Sequence, residues 1–372
     1  MQKTADIIVI GGGIAGASVA SELAREQSVI LLEAEDQPGY HSTGRSAAIW
    51  VPEYGPPVIR ALTKASGGFF HAPPEGFCET PLLSPRGEMM VALHDQEELM
   101  ASEQAAAPNL RYVSATEVVD RVPLIKKDVI IGGLIDDSAE DIDVDALLQS
   151  QLKAFKRRGG KLICDARVEA ISHSDGWQLE CKAGTFTAPV IVNAAGAWAD
   201  IIAKLAGIAP AGLVPMRRSA CLVSPPEGVD TSNWPLTFGA GETFYFKPSG
   251  GQLIVSPADE TPVEPHDAWA EDITIAEGIE NFQQMMDMEV TRVTHTWAGL
   301  RTFAPDGCPV VGFDPGADGF FWLAGQGGYG IQTSPALSQI AAAQIMGNPV
   351  PREFQPFGID LDALGPARLA GQ

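Results

Sequence analysis

The sequence predicts an α/β protein: a Rossmann-like dinucleotide-binding domain, discontinuous along the chain, with a β-sheet-rich α+β domain inserted into it. Three observations carry this. The chain opens with an apolar run, Ile7 to Ile10, that enters Gly11-x-Gly13-x-x-Gly16, continues through a helix-forming stretch and reaches a second apolar run ending at Glu33. Near the other end a glycine-rich turn, Gly325 to Gly330, leads into a helical pattern from about Thr333 to Ile345. Between them lies material of strand character, most clearly from Arg217 to Pro257.

The first element is a complete βαβ unit. Gly11 permits the tight turn, Gly13 lets the backbone approach a pyrophosphate, and Gly16 brings helix against strand. The helix amino end then offers free N–H groups to phosphate, and Glu33, about twenty residues on, is placed to accept ribose hydroxyls. Next come a turn at Gln37 to Gly39 and a small-residue stretch, His41 to Ala48, that can begin a helix. The acidic turn Asp136 to Asp145 precedes a helical pattern over Ala146 to Phe155, so its carboxylates read as capping groups rather than metal ligands. Strands are expected over 161–168 and 177–186. A buried strand at 189–192 runs into Asn193-Ala194-Ala195-Gly196, a second place where backbone approaches a ligand closely. A mostly helical stretch covers 268–288.

Composition excludes several function classes. The chain has 372 residues, 47 acidic against 25 basic side chains and a net charge of −22, which disfavours nucleic acid and anionic membrane as partners. No apolar run approaches the roughly 18 residues a membrane span needs, so integral membrane association is not expected, and the amino terminus carries no signal-like pattern. A cytoplasmic location follows as the expectation. The five cysteines, Cys78, Cys164, Cys181, Cys221 and Cys308, form no CxxC pair and read as thiols in a reducing compartment. The six histidines lack ligand spacing, and no metal is expected.

The first glycine motif alone does not choose between NAD and FAD. The later elements favour FAD: a helix amino end at the flavin pyrimidine stabilises the negative charge that develops there on reduction, and NAD enzymes need no such contact. Five ordered blocks then resemble one family. They are Gly-Tyr-His-Ser-Thr-Gly-Arg-Ser-Ala-Ala at 39–48, Leu-Leu-Ser-Pro-Arg-x-Glu-Met at 82–89, Val-Asn-Ala-Ala-Gly-Ala-Trp at 192–198, His-Thr-Trp-Ala-Gly-Leu-Arg at 295–301 and Gln-Gly-Gly-Tyr-Gly-Ile-Gln at 326–332. The chain is similar to the FAD-dependent D-amino-acid oxidase and glycine oxidase superfamily, with the nearest likeness to its D-arginine dehydrogenases.

The resemblance implies a noncovalent FAD held by Gly11, Gly13, Gly16 and Glu33. Ser42, Arg45, Ser46 and Ala47 are then expected near pyrophosphate and ring, and Val168 at the adenine through its backbone. Gly196, Gly327, Gly328, Gly330 and Gln332 complete the cofactor set. It also implies a cofactor domain of residues 1–50, 136–210 and 295–372 and a substrate-binding domain of 51–135 and 211–294. Cys308 follows Asp306-Gly307 and reads as a packed thiol, not a covalent flavin attachment.

In this family an arginine fork and tyrosine hydroxyls grip an amino-acid carboxylate. The matching positions are Arg218 and Tyr245, with Arg301 close by and Tyr54 on a lid. Arg217 and Arg218 are adjacent, so in a strand only one points inward, and motif position selects Arg218. Glu88 matches the family position that receives the cationic end of a basic side chain, the competing reading being a salt bridge to Arg86. Glu53 on the lid reads as a solvated acid. Ile49 stands where the D-arginine dehydrogenases carry histidine, so that residue's part in proton handling does not carry over, and the pocket is expected to be more apolar. His41 is expected at the core or beside the cofactor rather than as a base.

These positions imply oxidative deamination of a small-molecule D-amino acid, basic or broad in preference such as D-Arg or D-Lys, to a 2-oxo acid and ammonia. The electron acceptor, quinone or oxygen, is left open. Two alternatives use the same residues: oxidation of secondary or N-methyl amino acids in the manner of sarcosine or glycine oxidases, and an FAD electron-transfer subunit of a larger dehydrogenase.

Overall fold

The computed structural model describes residues 2–107 and 110–369. Its central sheet has six strands in the order Lys161–Ile163, Val29–Leu32, Ile7–Ile10, Val190–Asn193, Phe320–Ala324 and Val310–Phe313. The first five run parallel, and only the Val310–Phe313 edge is antiparallel. A sheet covered on both faces calls for apolar residues at consecutive positions, and Ile7 to Ile10 and Val29 to Leu32 are buried throughout. Alternation sends Ile7, Val9, Leu31 and Phe321 to one side and Ile8, Ile10, Ile30 and Trp322 to the other.

On the first side pack helices Ile14–Leu23, Pro57–His71, Val144–Arg157 and Gly330–Ile345. On the second lies a four-stranded sheet, Gln2–Thr4, Gly184–Ala188, Trp177–Cys181 and Val168–His173, which contributes Trp177, Leu179 and Phe186. The helix Val144–Arg157 begins where the acidic turn ends, and the Asp143 carboxylate accepts the Ala146 N–H at 2.8 Å. The small-residue stretch 41–48 forms turns and no helix.

A second, nine-stranded sheet runs Thr261–Pro262, Val214–Val223, Gln252–Ser256, Tyr245–Ser249, Leu236–Gly239, Glu88–Leu93, Ile130–Asp136 and Arg111–Ser114, with Val293–Phe303 also paired to Val214–Val223. One face, bearing Met89, Val91, Cys221, Phe246 and Val255, is covered by helix Asp272–Met285 through Ile275, Phe282 and Met285. A small sheet of Ile49–Trp50, Glu140–Ile142 and Leu83–Pro85 lies alongside.

Two segments pack apart from the bodies expected for them. Helix Pro57–His71 was expected with the substrate-binding segment 51–135, yet it places Val58, Ile59, Leu62 and Phe70 in the core of the parallel sheet. Strand Val293–Phe303, split by the expected boundary at 295, belongs to the nine-stranded sheet over its whole length. The hydrophobic stripe places the helix and the hydrogen-bond ladder places the strand, and a linear division of the chain sees neither.

Candidate active site

A cavity of about 490 Å³ runs from the glycine turn of the first βαβ unit to the face of the nine-stranded sheet opposite helix Asp272–Met285. Its wall includes Gly11, Gly13, Glu33, Ser42, Ser46, Ala47 and Val168, the polar side chains Arg218, Tyr245 and Arg301, and the glycines Gly196, Gly327, Gly328 and Gly330.

The glycine turn is built for contact. Gly11 has φ +104° and donates its N–H to the Leu32 carbonyl at 2.8 Å. A Cβ on Gly16 would sit 1.9 Å from the Gly11 carbonyl oxygen, so only glycine lets the helix start this close to the strand. The Glu33 carboxylate accepts the N–H of Gly12 at 2.7 Å and of Glu35 at 2.9 Å. Burial pushes its pKa up against those bonds. Each carboxylate oxygen keeps a lone pair for a further donor. Thr43, which the sequence reading passed over, accepts the Ile14 N–H at 3.0 Å through Oγ1 and so occupies one free donor of the helix amino end.

Of the expected cofactor positions, Ser42 and Arg45 line the cavity with side chains already hydrogen-bonded, and Gln332 stands off it. Arg45 lines the cavity, but its guanidinium donates to the Ala268 and Ala298 carbonyls at 2.8 and 2.9 Å and pairs with Asp267, so it ties the turn 41–48 to the second sheet. Ser42 lines the cavity while its hydroxyl donates to the Leu300 carbonyl at 2.6 Å. Gln332 is absent from the cavity wall: its side-chain oxygen accepts the Val51 N–H at 3.0 Å, because one turn into a helix the side chain points toward the neighbouring strand end. His41 lies on the wall, with Nε2 3.0 Å from Glu35 and its ring 4.6 Å from that of Trp198.

Sheet parity assembles the other end. Register pairs Glu88 with Leu236, Phe238 with Tyr245, Tyr245 with Ser256, Arg218 with Gly299 and Met216 with Arg301. Paired residues share a face, so Glu88, Tyr245, Arg218 and Arg301 all project from the side opposite helix Asp272–Met285. Arg217, one position out of phase, pairs instead with Asp259 and Glu271. Arg218 is 8% exposed and donates to Glu260 at 2.6 Å, yet its buried Nε has no partner. Arg301 has no carboxylate within 4 Å among the described residues, and its guanidinium lies along Gly328, where a Cβ would meet it at 3.1 Å.

Glu88 and Tyr54 are not on the cavity wall itself. Glu88 stands two strands beyond Tyr245, roughly 10 Å at about 4.8 Å per strand. The salt bridge to Arg86 weighed for it does not form: Arg86 pairs with Asp141 at 2.7 Å and donates to the Ser232 and Trp234 carbonyls. Lys247 also goes to Asp141. No salt bridge to Glu88 forms among the described residues, and desolvation pushes its carboxyl up to about 8, helped by the negative charges of Asp136 and Glu242. Tyr54 stacks obliquely on Tyr329 at 5.3 Å, and burial raises the pKa of both phenols. Glu53 pairs with Lys64 at 2.7 Å. Glu242, which no motif marks, is exposed with φ +53°, and its charge raises all three groups.

Known proteins share the fold that carries this cavity. The family model described as DAO, FAD dependent oxidoreductase, matches residues 6–344. The chain belongs to this family of FAD-dependent oxidoreductases. Its glycine oxidase relative from Bacillus licheniformis is 23% identical over 95% of this chain and 96% of that protein. The L-2-hydroxyglutarate dehydrogenase of Escherichia coli K12 is 27% identical over 56% of this chain, and the match spans about half (51%) of that relative's length. The crystal structure of glycine oxidase from Geobacillus kaustophilus shares the fold, with a TM-score of 0.82 at 20% identity, covering 96% of this chain and 99% of that one. FAD is the cofactor of the family, and the cavity fits it. The cradle at Gly11 and Gly16 admits no side chain, Glu33 stands at the end of the second strand, and two residues of the wall, Arg218 and Thr302, keep buried polar atoms without partners. Among the described residues no helix is long and apolar enough to cross a membrane, and no cluster of potential metal ligands occurs.

Proposed function

We propose that this protein oxidatively deaminates D-amino acids, with preference for those carrying a long cationic side chain such as D-arginine and D-lysine. The observation that carries the reading is Glu88, a carboxyl without a cation, on the same sheet face as Arg218 and Tyr245. Burying an unpaired acid is unfavourable unless a ligand completes it. A substrate held by its carboxylate at Arg218 needs a long side chain to reach Glu88, which selects arginine or lysine over short residues.

Glycine turns, Glu33 and the Gly327–Gly330 segment would hold FAD noncovalently. The chemistry FAD supplies when bound is acceptance of a hydride from the substrate Cα, after which the imino acid takes up water to release a 2-oxo acid and ammonia. Arg218, with its free Nε, and Arg301 grip the carboxylate, and the Tyr245 hydroxyl donates to it. This fixes the Cα–H direction and supplies the proximity part of the rate. In this reading Tyr54 and Tyr329, stacked on each other outside the cavity wall, form the lid that shields the site from water. Ile49 offers no proton acceptor, so the substrate amine must arrive neutral for its lone pair to form the C=N bond.

A second reading, oxidation of glycine or N-methyl amino acids such as sarcosine, is favoured by the likeness to glycine oxidase and uses the same carboxylate grip. Anaerobic bleaching of the flavin separates the two. D-Arg and D-Lys should bleach it fastest, neutral D-amino acids more slowly, and glycine, sarcosine and L-amino acids least. Absence of bleaching by every D-amino acid would overturn the proposal, and repeating the panel in air while following peroxide distinguishes oxygen from a quinone as acceptor.

A further inference from the structure

Arg301 and Thr302 are neighbours on strand Val293–Phe303, so their side chains leave opposite faces. Arg301 shares its face with Arg218. Thr302 alternates with Ala298 and Leu300, which pack with Ala197 and Trp198 at the turn after Asn193. Both residues nevertheless line the one cavity. The end of this strand therefore presents Arg301 to the cavity from one face and Thr302 from the other.

The Thr302 carbonyl accepts the Gly327 N–H at 2.8 Å, which holds the strand end against the turn that opens helix Gly330–Ile345. Its hydroxyl is left over. Thr302 is 5% exposed, and Oγ1 is buried without any hydrogen-bond partner. Other buried hydroxyls nearby are satisfied locally: Thr333 donates to the Tyr329 carbonyl at 2.8 Å and Ser334 to that of Ile331 at 2.9 Å. Four buried side-chain atoms lack partners among the described residues, those of Ser18, Arg218, Thr302 and Gln344, and only Arg218 and Thr302 line the cavity. A buried polar atom without a partner in a wall built for a ligand marks where that ligand supplies one.

We infer that Thr302 is a cofactor-recognition residue whose hydroxyl hydrogen-bonds a polar edge atom of the isoalloxazine, on the opposite side of the strand from the substrate grip. The inference concerns FAD alone and holds whichever amino acid is oxidised.

The test uses the full-length protein stripped of flavin and titrated with FAD, following quenching of flavin fluorescence. Thr302→Val should weaken FAD about three- to tenfold, the span of one neutral hydrogen bond, while Thr302→Ser stays within about twofold of wild type. Apoprotein carrying Thr302→Val should melt no lower than wild-type apoprotein, because it loses an unpartnered hydroxyl, and should gain less on adding FAD. Wild-type FAD affinity and an unchanged visible spectrum in Thr302→Val would overturn the inference. If the valine variant does not fold, Thr302→Ser is compared with Thr302→Ala: at least threefold tighter FAD in the serine variant supports the hydroxyl, and equal affinity refutes it.

Discussion

Replacing Glu88 by glutamine keeps the shape of the side chain and removes its charge. With its pKa at about 8, free Glu88 is mostly protonated at neutral pH. A cationic side chain entering beside it must displace that proton, which lowers apparent affinity by about tenfold at pH 7 and by almost nothing at pH 9. The ratio of kcat/KM for D-Arg to that for D-Met should therefore rise about tenfold from pH 7 to pH 9 in the wild type, since the shared dependence on a neutral amine cancels. Glu88→Gln should hold this ratio flat and, at pH 9, lower it by about 5- to 150-fold, corresponding to about 1–3 kcal/mol for a partly buried ion pair. Stability moves the other way. A folded-state pKa raised from 4.5 to about 8 means the native protein holds this proton more tightly, so its contribution is complete below 4.5 and is lost as pH rises to about 8. The span is worth at most about 5 kcal/mol at 1.36 kcal/mol per pH unit. Urea unfolding of the apoprotein should find Glu88→Gln more stable than wild type above pH 8 and equal to it near pH 4.5. A D-Arg to D-Met ratio that is the same in both proteins at pH 9 refutes the assignment of Glu88 to the substrate side chain.

Arg218→Met should raise KM for all D-amino acids alike, by about 30-fold or more, since it removes a charge-assisted grip on the group they share; steady-state kinetics with D-Arg and D-Met checks this. Gly16→Ala drives a Cβ into the Gly11 carbonyl and should yield protein that purifies without yellow colour, read from absorbance near 450 nm as about a tenfold or greater loss of bound flavin. Asp143→Ala removes the cap of helix Val144–Arg157 and should cost about 1 kcal/mol in urea unfolding without changing FAD affinity.

Local chemistry made much of this protein legible from its sequence. The βαβ unit, its glycine turn and Glu33 lie within a few dozen residues of one another, where spacing alone dictates geometry. Parity within one strand likewise separates Arg218 from Arg217. What tertiary structure decided concerns groups whose partners are far away in the chain. Gln332 turns to Val51, Arg45 spends its guanidinium on carbonyls of a distant strand, and helix Pro57–His71 joins the core of the parallel sheet. The isolation of Glu88 depends on Asp141 having drawn away both Arg86 and Lys247, and the unpartnered hydroxyl of Thr302 on which face of a long strand meets the cavity. Hydrogen bonds and charges are satisfied by whatever lies within a few ångströms, and only folding sets which residues those are.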